Sequence, residues 1–134
     1  EPYTEHGSSL SACAYAIVAA EIGNTDWAYK YFMKTASVDL TGDTKQYIGS
    51  LYIGGTHPAA NGGAWNTAIF GFAGVSFTNE TLDISPRLPK NWDSISFKLN
   101  WKGEKLNIKI TTNKVEINGI TDSKVTVYGE EYKI

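Results

Sequence analysis

Cysteine and histidine, the residues that most often mark metal and redox sites, are scarce in this chain. Its 134 residues hold one cysteine, Cys13, and two histidines, His6 and His57. A single cysteine excludes an intrachain disulfide and fits a reducing, cytoplasmic setting. Two histidines and one cysteine so far apart do not have zinc-ligand spacing. No glycine-rich loop follows a strand in the manner of a nucleotide site. Neither a metal nor an organic cofactor is therefore expected. No apolar run is long enough to span a bilayer. With a net charge of −2 and a pI near 5.6, the chain carries no broad field to attract nucleic acid or a membrane surface. Only 19% of residues are charged, while 42% are hydrophobic, so disorder is excluded as well.

The charges that are present fall unevenly. Residues 1–86 carry 3 basic and 8 acidic side chains, and residues 87–134 carry 9 and 6. The hydrophobic period changes near the same place. Leu10, Cys13, Ala14, Ile17 and Val18 recur at the spacing of one helix face, predicting a helix over 8–21 with Ser8 or Ser9 as N-cap. Gly23 stops it, and Asn24-Thr25-Asp26 starts a second helix to about Val38, with Ala28, Tyr31, Phe32 and Thr35 on one side. Periodicity fades from Asp39 to Thr56, which reads as a long loop. A third helix runs from about Pro58 to Phe72, with Trp65, Ala68, Ile69 and Phe72 inward. Beyond Gly74 the period becomes two: Leu82 and Ile84, then Ile95 to Trp101, Leu106 to Ile110, Val115 and Ile117, Val125 and Val127, and Tyr132 with Ile134. These residues predict an antiparallel β module after three helices, an α+β chain. The helical part carries more aromatic surface than a small hairpin covers, and no methionine opens the sequence. The reading is therefore of a fragment of a larger domain.

Two polar stretches stand out. His6-Gly7-Ser8-Ser9-Leu10-Ser11 lies at the threshold of the first helix, where unpaired N–H groups and the helix dipole favour an anion. Gly54 to Gly63 sets His57 among small residues that admit close approach of a ligand. Each feature also has a plainer reading. Ser8 and Ser9 alone make an ordinary helix cap, His57 a hydrogen-bonded structural histidine, and His6 a surface histidine. Gly62-Gly63 alone means tight packing, and Trp27 and Trp65 read as core. Asp39, Asp43, Glu1 and Glu5 have no acid/base spacing and read as solvated or loop-capping groups.

The joint occurrence of four segments goes further. E-P-Y-T-E-H-G-S-S-L-S-A-C at 1–13, G-T-H-P-A-A-N-G-G-A-W at 55–65, G-F-A-G-V at 71–75 and I-S-P-R-L-P-K-N-W at 84–92 resemble the C-terminal part of glycoside hydrolase family 65, in that order and over about residues 1–110. The family contains inverting phosphorylases of maltose, trehalose, kojibiose and nigerose, and some hydrolases. The resemblance implies the last helices of an (α/α)₆ barrel over 1–75 and a small antiparallel β-sandwich domain over 76–134. It implies that Ser8, Ser9 and His57 hold phosphate, with His6 in a supporting role. Gly55 stands where the family carries an acidic residue. The family's general-acid glutamate has no counterpart here, so these residues alone should be inactive. Implied partners are the remainder of the catalytic barrel, a disaccharide and inorganic phosphate as co-substrate, and a second copy in a homodimer. Two alternatives remain: part of a hydrolase of the same family, or a non-catalytic carbohydrate-binding β module using Trp92 or Trp101.

Overall fold

Helix α1, Ser11–Glu21, is apolar nearly all round, and its sequence therefore sets no phase for burial. The computed structural model resolves that phase. It describes residues 8–40, 56–119 and 122–133, together with the backbone pairing of 46–48 and 51–53. The buried residues of α1 are Ala16, Ala19 and Ala20. Leu10, Ala14 and Val18 form an exposed stripe instead of the predicted inner face. Small alanines win the inside because they let two neighbouring helices approach closely.

The helix also begins later than predicted. Leu10 occupies the N-cap position without a side-chain cap. Ser8 forms a preceding turn, its Oγ accepting from Leu10 N at 3.2 Å and its carbonyl from Ser11 N at 3.1 Å. The stop matches expectation in detail. Gly23 takes φ +81°, Gly23 N donates to Ala20 O and Asn24 N to Ala19 O, satisfying the last carbonyls of α1. Asn24 then caps α2, Thr25–Ala36, by accepting from Trp27 N at 3.2 Å. Ala28, Tyr31 and Thr35 face inward as predicted, while Phe32 is half-buried. Trp27 and Trp65 are not core: they remain 43% and 54% exposed.

The predicted loop over 39–56 contains a short hairpin, β1 Gln46–Ile48 with β2 Leu51–Ile53. Helix α3, Pro58–Asn66, continues into a wider π-helical turn, Thr67–Phe72. There Thr67 Oγ1 donates to Gly63 O at 2.9 Å. The close packing predicted for the glycine pair holds for Gly63 only. A Cβ on Gly63 would lie 2.6 Å from Cys13 Sγ, whereas one on Gly62 would meet nothing within 4 Å. Farther along, Gly71 sits against Ile17 and Ala20. Thus Cys13 meets Gly63 and Ala20 meets Gly71, which fixes α1 and α3 as parallel neighbours.

Among the described residues the second half contains seven strands: β3 Val75–Phe77, β4 Thr81–Ile84, β5 Ser94–Trp101, β6 Glu104–Thr111, β7 Val115–Asn118, β8 Lys124–Val127 and β9 Glu130–Glu131. One sheet has the order β3-β4-β8-β9 and the other β5-β6-β7. The pairings are antiparallel with one exception: β4 and β8 run parallel, Leu82 opposite Val125. Sequence alternation does not distinguish the two directions, because both bury every second side chain. The two sheets share one apolar core. Val75, Leu82, Ile84 and Val125 come from the first, Leu106, Ile108, Ile110 and Ile117 from the second, and Ile69 and Ala73 join from the helical side. Lys102-Gly103 and Tyr128-Gly129, all with positive φ, close two-residue hairpins.

The halves are tied at one seam. Arg87 N donates to Phe72 O at 2.8 Å, and Trp92 packs edge-on against Phe32 and Phe72 with ring centroids 5.3 and 5.0 Å away.

Candidate functional site

Parallel packing of α1 and α3 brings the starts of both helices to the same end of the helical layer. Helix α2 runs back between them in sequence, so its C-terminal end lies there too. Asp39, just beyond α2, reaches the first turn of α3. Ser8, Ser9, Asp39 and His57 therefore belong to one end of the three-helix layer. His6 lies outside the described residues.

His57 occupies the N-cap position of α3, followed by Pro58, whose fixed φ suits a first helical turn. The His57 side chain caps nothing. Asp39 performs that task from across the connection. Its Oδ2 accepts from His57 N at 2.8 Å and from Asn61 Nδ2 at 2.9 Å. Its Oδ1 lies 2.7 Å from His57 Nδ1. A negative charge there also complements the helix dipole. The hydrogen bond from the His57 ring, then that from the His57 backbone, holds the Asp39 carboxyl below its ordinary range, against a smaller opposing effect of burial. An ionised carboxylate only accepts, so His57 Nδ1 carries a proton and Nε2 is the nitrogen left to face a ligand. Both side chains are partly open to solvent, at 26% and 17%.

Asp39 was missed by the sequence reading, which treated it as a solvated or loop-capping group. A signal existed. Asp39 and His57 are the two ends of one connection between packed antiparallel helices, and such ends meet. Ser8 is exposed and Ser9 half-buried, and the Ser8 hydroxyl is engaged by Leu10 N. Among the described residues no cluster of three or more His, Cys, Asp or Glu could hold a metal ion, and no helix is long and apolar enough to cross a membrane.

In the β half, Trp101 is half-buried, packs against Phe77 at 5.6 Å and is covered by Lys102 Nζ at 5.6 Å. Trp92 is committed to the seam. Each indole is thus already engaged by neighbouring side chains.

Comparison with known proteins identifies the family of the segment. The glycosyl hydrolase family 65 central catalytic domain model matches residues 1–66, and the family's C-terminal domain model matches residues 75–134. Nigerose phosphorylase of Lachnoclostridium phytofermentans is 44% identical over 120 residues, 90% of this chain and 16% of that protein. The 1,2-alpha-glucosylglycerol phosphorylase of Bacillus selenitireducens is 38% identical over 135 residues, 98% of this chain and 18% of that protein. A solved structure of a kojibiose-phosphorylase-like protein from the human microbiome superposes with a TM-score of 0.82 at 30% identity, covering 98% of this chain and 17% of that one. The chain thus spans under a fifth of the length of these relatives. Their names carry different substrates, so similarity in this segment does not select one.

Proposed function

Because the chain belongs to glycosyl hydrolase family 65, we infer that it is the C-terminal segment of an inverting α-glucoside phosphorylase and contributes the phosphate-binding part of the active site. Residues 1–75 belong to the last helices of the (α/α)₆ catalytic barrel, and residues 76–134 form the C-terminal β-sandwich domain. The main support is the shared end of α1 and α3, to which Ser8, Ser9 and a His57 braced by Asp39 all belong. The exposed stripe of Leu10, Ala14 and Val18 suits a helix that packs against further barrel helices. The full-length protein works in the cytoplasm, as a homodimer, without an organic cofactor.

In the reaction, phosphate attacks the anomeric carbon from the face opposite the departing sugar. A carboxylic acid elsewhere in the barrel protonates the leaving oxygen. The phosphate is already anionic and needs no base. This segment supplies position and charge balance: the serine hydroxyls, N–H groups at the helix start and His57 Nε2 hold the spare oxygens and leave one free to attack. His6 supports the serine pair. Each hydrogen bond to the charged oxygens contributes roughly 1.5–3 kcal/mol.

The test is made on the full-length protein with an α-linked glucose disaccharide. The expected product is β-glucose 1-phosphate, formed only when phosphate is present. Replacing Ser8 and Ser9 together by alanine should weaken phosphate use in particular. Release of free glucose at the same rate without phosphate would identify a hydrolase instead.

A further inference from the structure

We propose that Asp39 is the positioning residue of the phosphate site, locking the ring of His57 so that Nε2 alone is presented to the anion; the proposal rests on the reading of His57 as a phosphate contact. Asp39 stands 18 positions before His57, and one carboxylate holds both the ring and the backbone of that residue. Oδ1 meets Nδ1 at 2.7 Å, within the short range of charge-assisted hydrogen bonds. Oδ2 takes His57 N and Asn61 Nδ2 at 2.8 and 2.9 Å. Three donors converge on two oxygens.

This arrangement does two things at once. It sets the backbone at the start of α3, where His57 sits at φ −103°, ψ 71°. It also sets the side-chain torsions, because the ring cannot turn without leaving Oδ1. The two ring nitrogens flank Cε1, and their outward directions diverge widely. With Nδ1 tied to the carboxylate, the other nitrogen points away from Asp39. Protonated, the ring donates from Nε2 to a phosphate oxygen; neutral, it accepts there from a phosphate hydroxyl. The ring presents the same edge in either state. A histidine whose second nitrogen is held by a carboxylate is an oriented ligand, by the logic that governs histidines bound to metals or paired with nucleophiles.

Capping alone does not require this geometry. For capping, Oδ2 on the His57 N–H is sufficient. The second oxygen is committed to the ring, and Asn61, on the first turn of α3, fixes the plane of the carboxylate. Asn61 thus supports Asp39 as Asp39 supports His57.

The experiment is a double-mutant cycle in the full-length protein, with KM for phosphate and KM for the disaccharide measured on each variant. His57→Ala should raise the phosphate KM about 10-fold to 100-fold, the loss expected for one hydrogen bond to a charged group. Asp39→Ala should raise it comparably and leave the disaccharide KM within about twofold. Asp39→Asn keeps the shape but turns an amide toward either Nδ1 or the two N–H donors; it guards against misfolding of the alanine variant and should also raise the phosphate KM. The double variant Asp39→Ala with His57→Ala should be no worse than His57→Ala alone, because without the ring there is nothing to orient. Multiplying effects in the double variant, or an unchanged phosphate KM in both Asp39 variants, would overturn the positioning role while leaving His57 as a phosphate contact. An unchanged phosphate KM in His57→Ala would remove the phosphate reading itself, and the proposal with it.

Discussion

The two halves of the molecule solve the burial problem differently. The β half is closed. Two sheets turn Leu82, Ile84, Leu106, Ile108 and Ile110 onto each other at near-zero exposure, and the outward positions are mostly polar, with Phe77 and Tyr128 the large apolar exceptions. The helical half is open. Leu10, Val18, Ile22, Trp27, Met33, Leu40 and Trp65 remain substantially exposed around a modest alanine-lined interior. Soluble surfaces tolerate scattered apolar side chains, but a stripe along one helix indicates a face that another element covers. The half that is closed holds itself together. The half that is open carries the phosphate-site candidates, at an end where separate chain segments converge. Closure and the candidate site fall in different places.

The sharpest way to break this comparison is Gly74→Ala at the seam. Gly74 takes φ +64°, and a Cβ there would lie 1.9 Å from the Ser85 carbonyl oxygen. That atom is backbone in a ladder, since Ser85 N donates back to Gly74 O, and it cannot step aside. The expected loss is about 4 kcal/mol, at the extreme of single substitutions. Calorimetry of the full-length protein would detect it as loss of the β half's transition.

Next comes Val18→Asp on the open stripe. If barrel helices cover that face, an unpaired charge is buried, and the full-length protein should lose about 3 kcal/mol. A change within about 0.5 kcal/mol, the usual range for surface sites, would show that the stripe faces water and that the helical half is as closed as the β half.

Asp83 gives the comparison a pH axis. Partial burial pushes its carboxyl up, but hydrogen bonds from Ser85, Thr126 and Gly129, together with the charge of Arg87, outweigh this and hold it below its ordinary value of 3.8. A carboxyl depressed in the folded state adds stability that is complete above the unfolded value and is lost as pH falls through the folded one. The contribution of Asp83 to the β half should thus persist to about pH 4 and fade below it. Asp83→Ala should cost about 2–3 kcal/mol at neutral pH, by stranding donors to a charged group, and should flatten the acid limb of a stability–pH curve.

The smallest effect belongs to Gly63→Ala. It would meet Cys13 Sγ at 2.6 Å and Cys13 Cβ at 2.8 Å, side-chain atoms on a helix that can shift as a unit, not a backbone carbonyl held in a ladder. Overpacking there should cost about 1–2 kcal/mol, measured by the same calorimetry. A loss as large as that at Gly74 would mean that α1 and α3 are as rigidly joined as the β ladder.

Much of the architecture was legible beforehand. The Gly23-Asn24 junction announced both a helix stop and a helix start, because φ > 0 and a side-chain cap are local demands. Alternation from Ile95 to Ile110 announced a hairpin with one buried face. The buried phase of α1 was not legible, because a helix apolar on all sides leaves that choice to its neighbours. The parallel pairing of β4 with β8 joins segments more than forty residues apart, and no local pattern records its direction. Within the candidate site, Ser8, Ser9 and His57 could be named from motifs. Asp39 carries no motif; only its place at the far end of the connection that closes on His57 pointed to it, and the fold was needed to set its carboxylate beside the imidazole.

Periodicity, turn residues and motif order therefore determined, from the sequence alone, that three helices precede a β module and that the chain resembles family 65. These are properties of neighbours along the chain. Tertiary structure alone decided which face of α1 is inside, which strands run parallel, and that the carboxylate of Asp39 grips both the ring and the backbone of His57. Those are distances between residues far apart in sequence. They are set only when packing, with Cys13 against Gly63 and Ala20 against Gly71, brings the helix ends together.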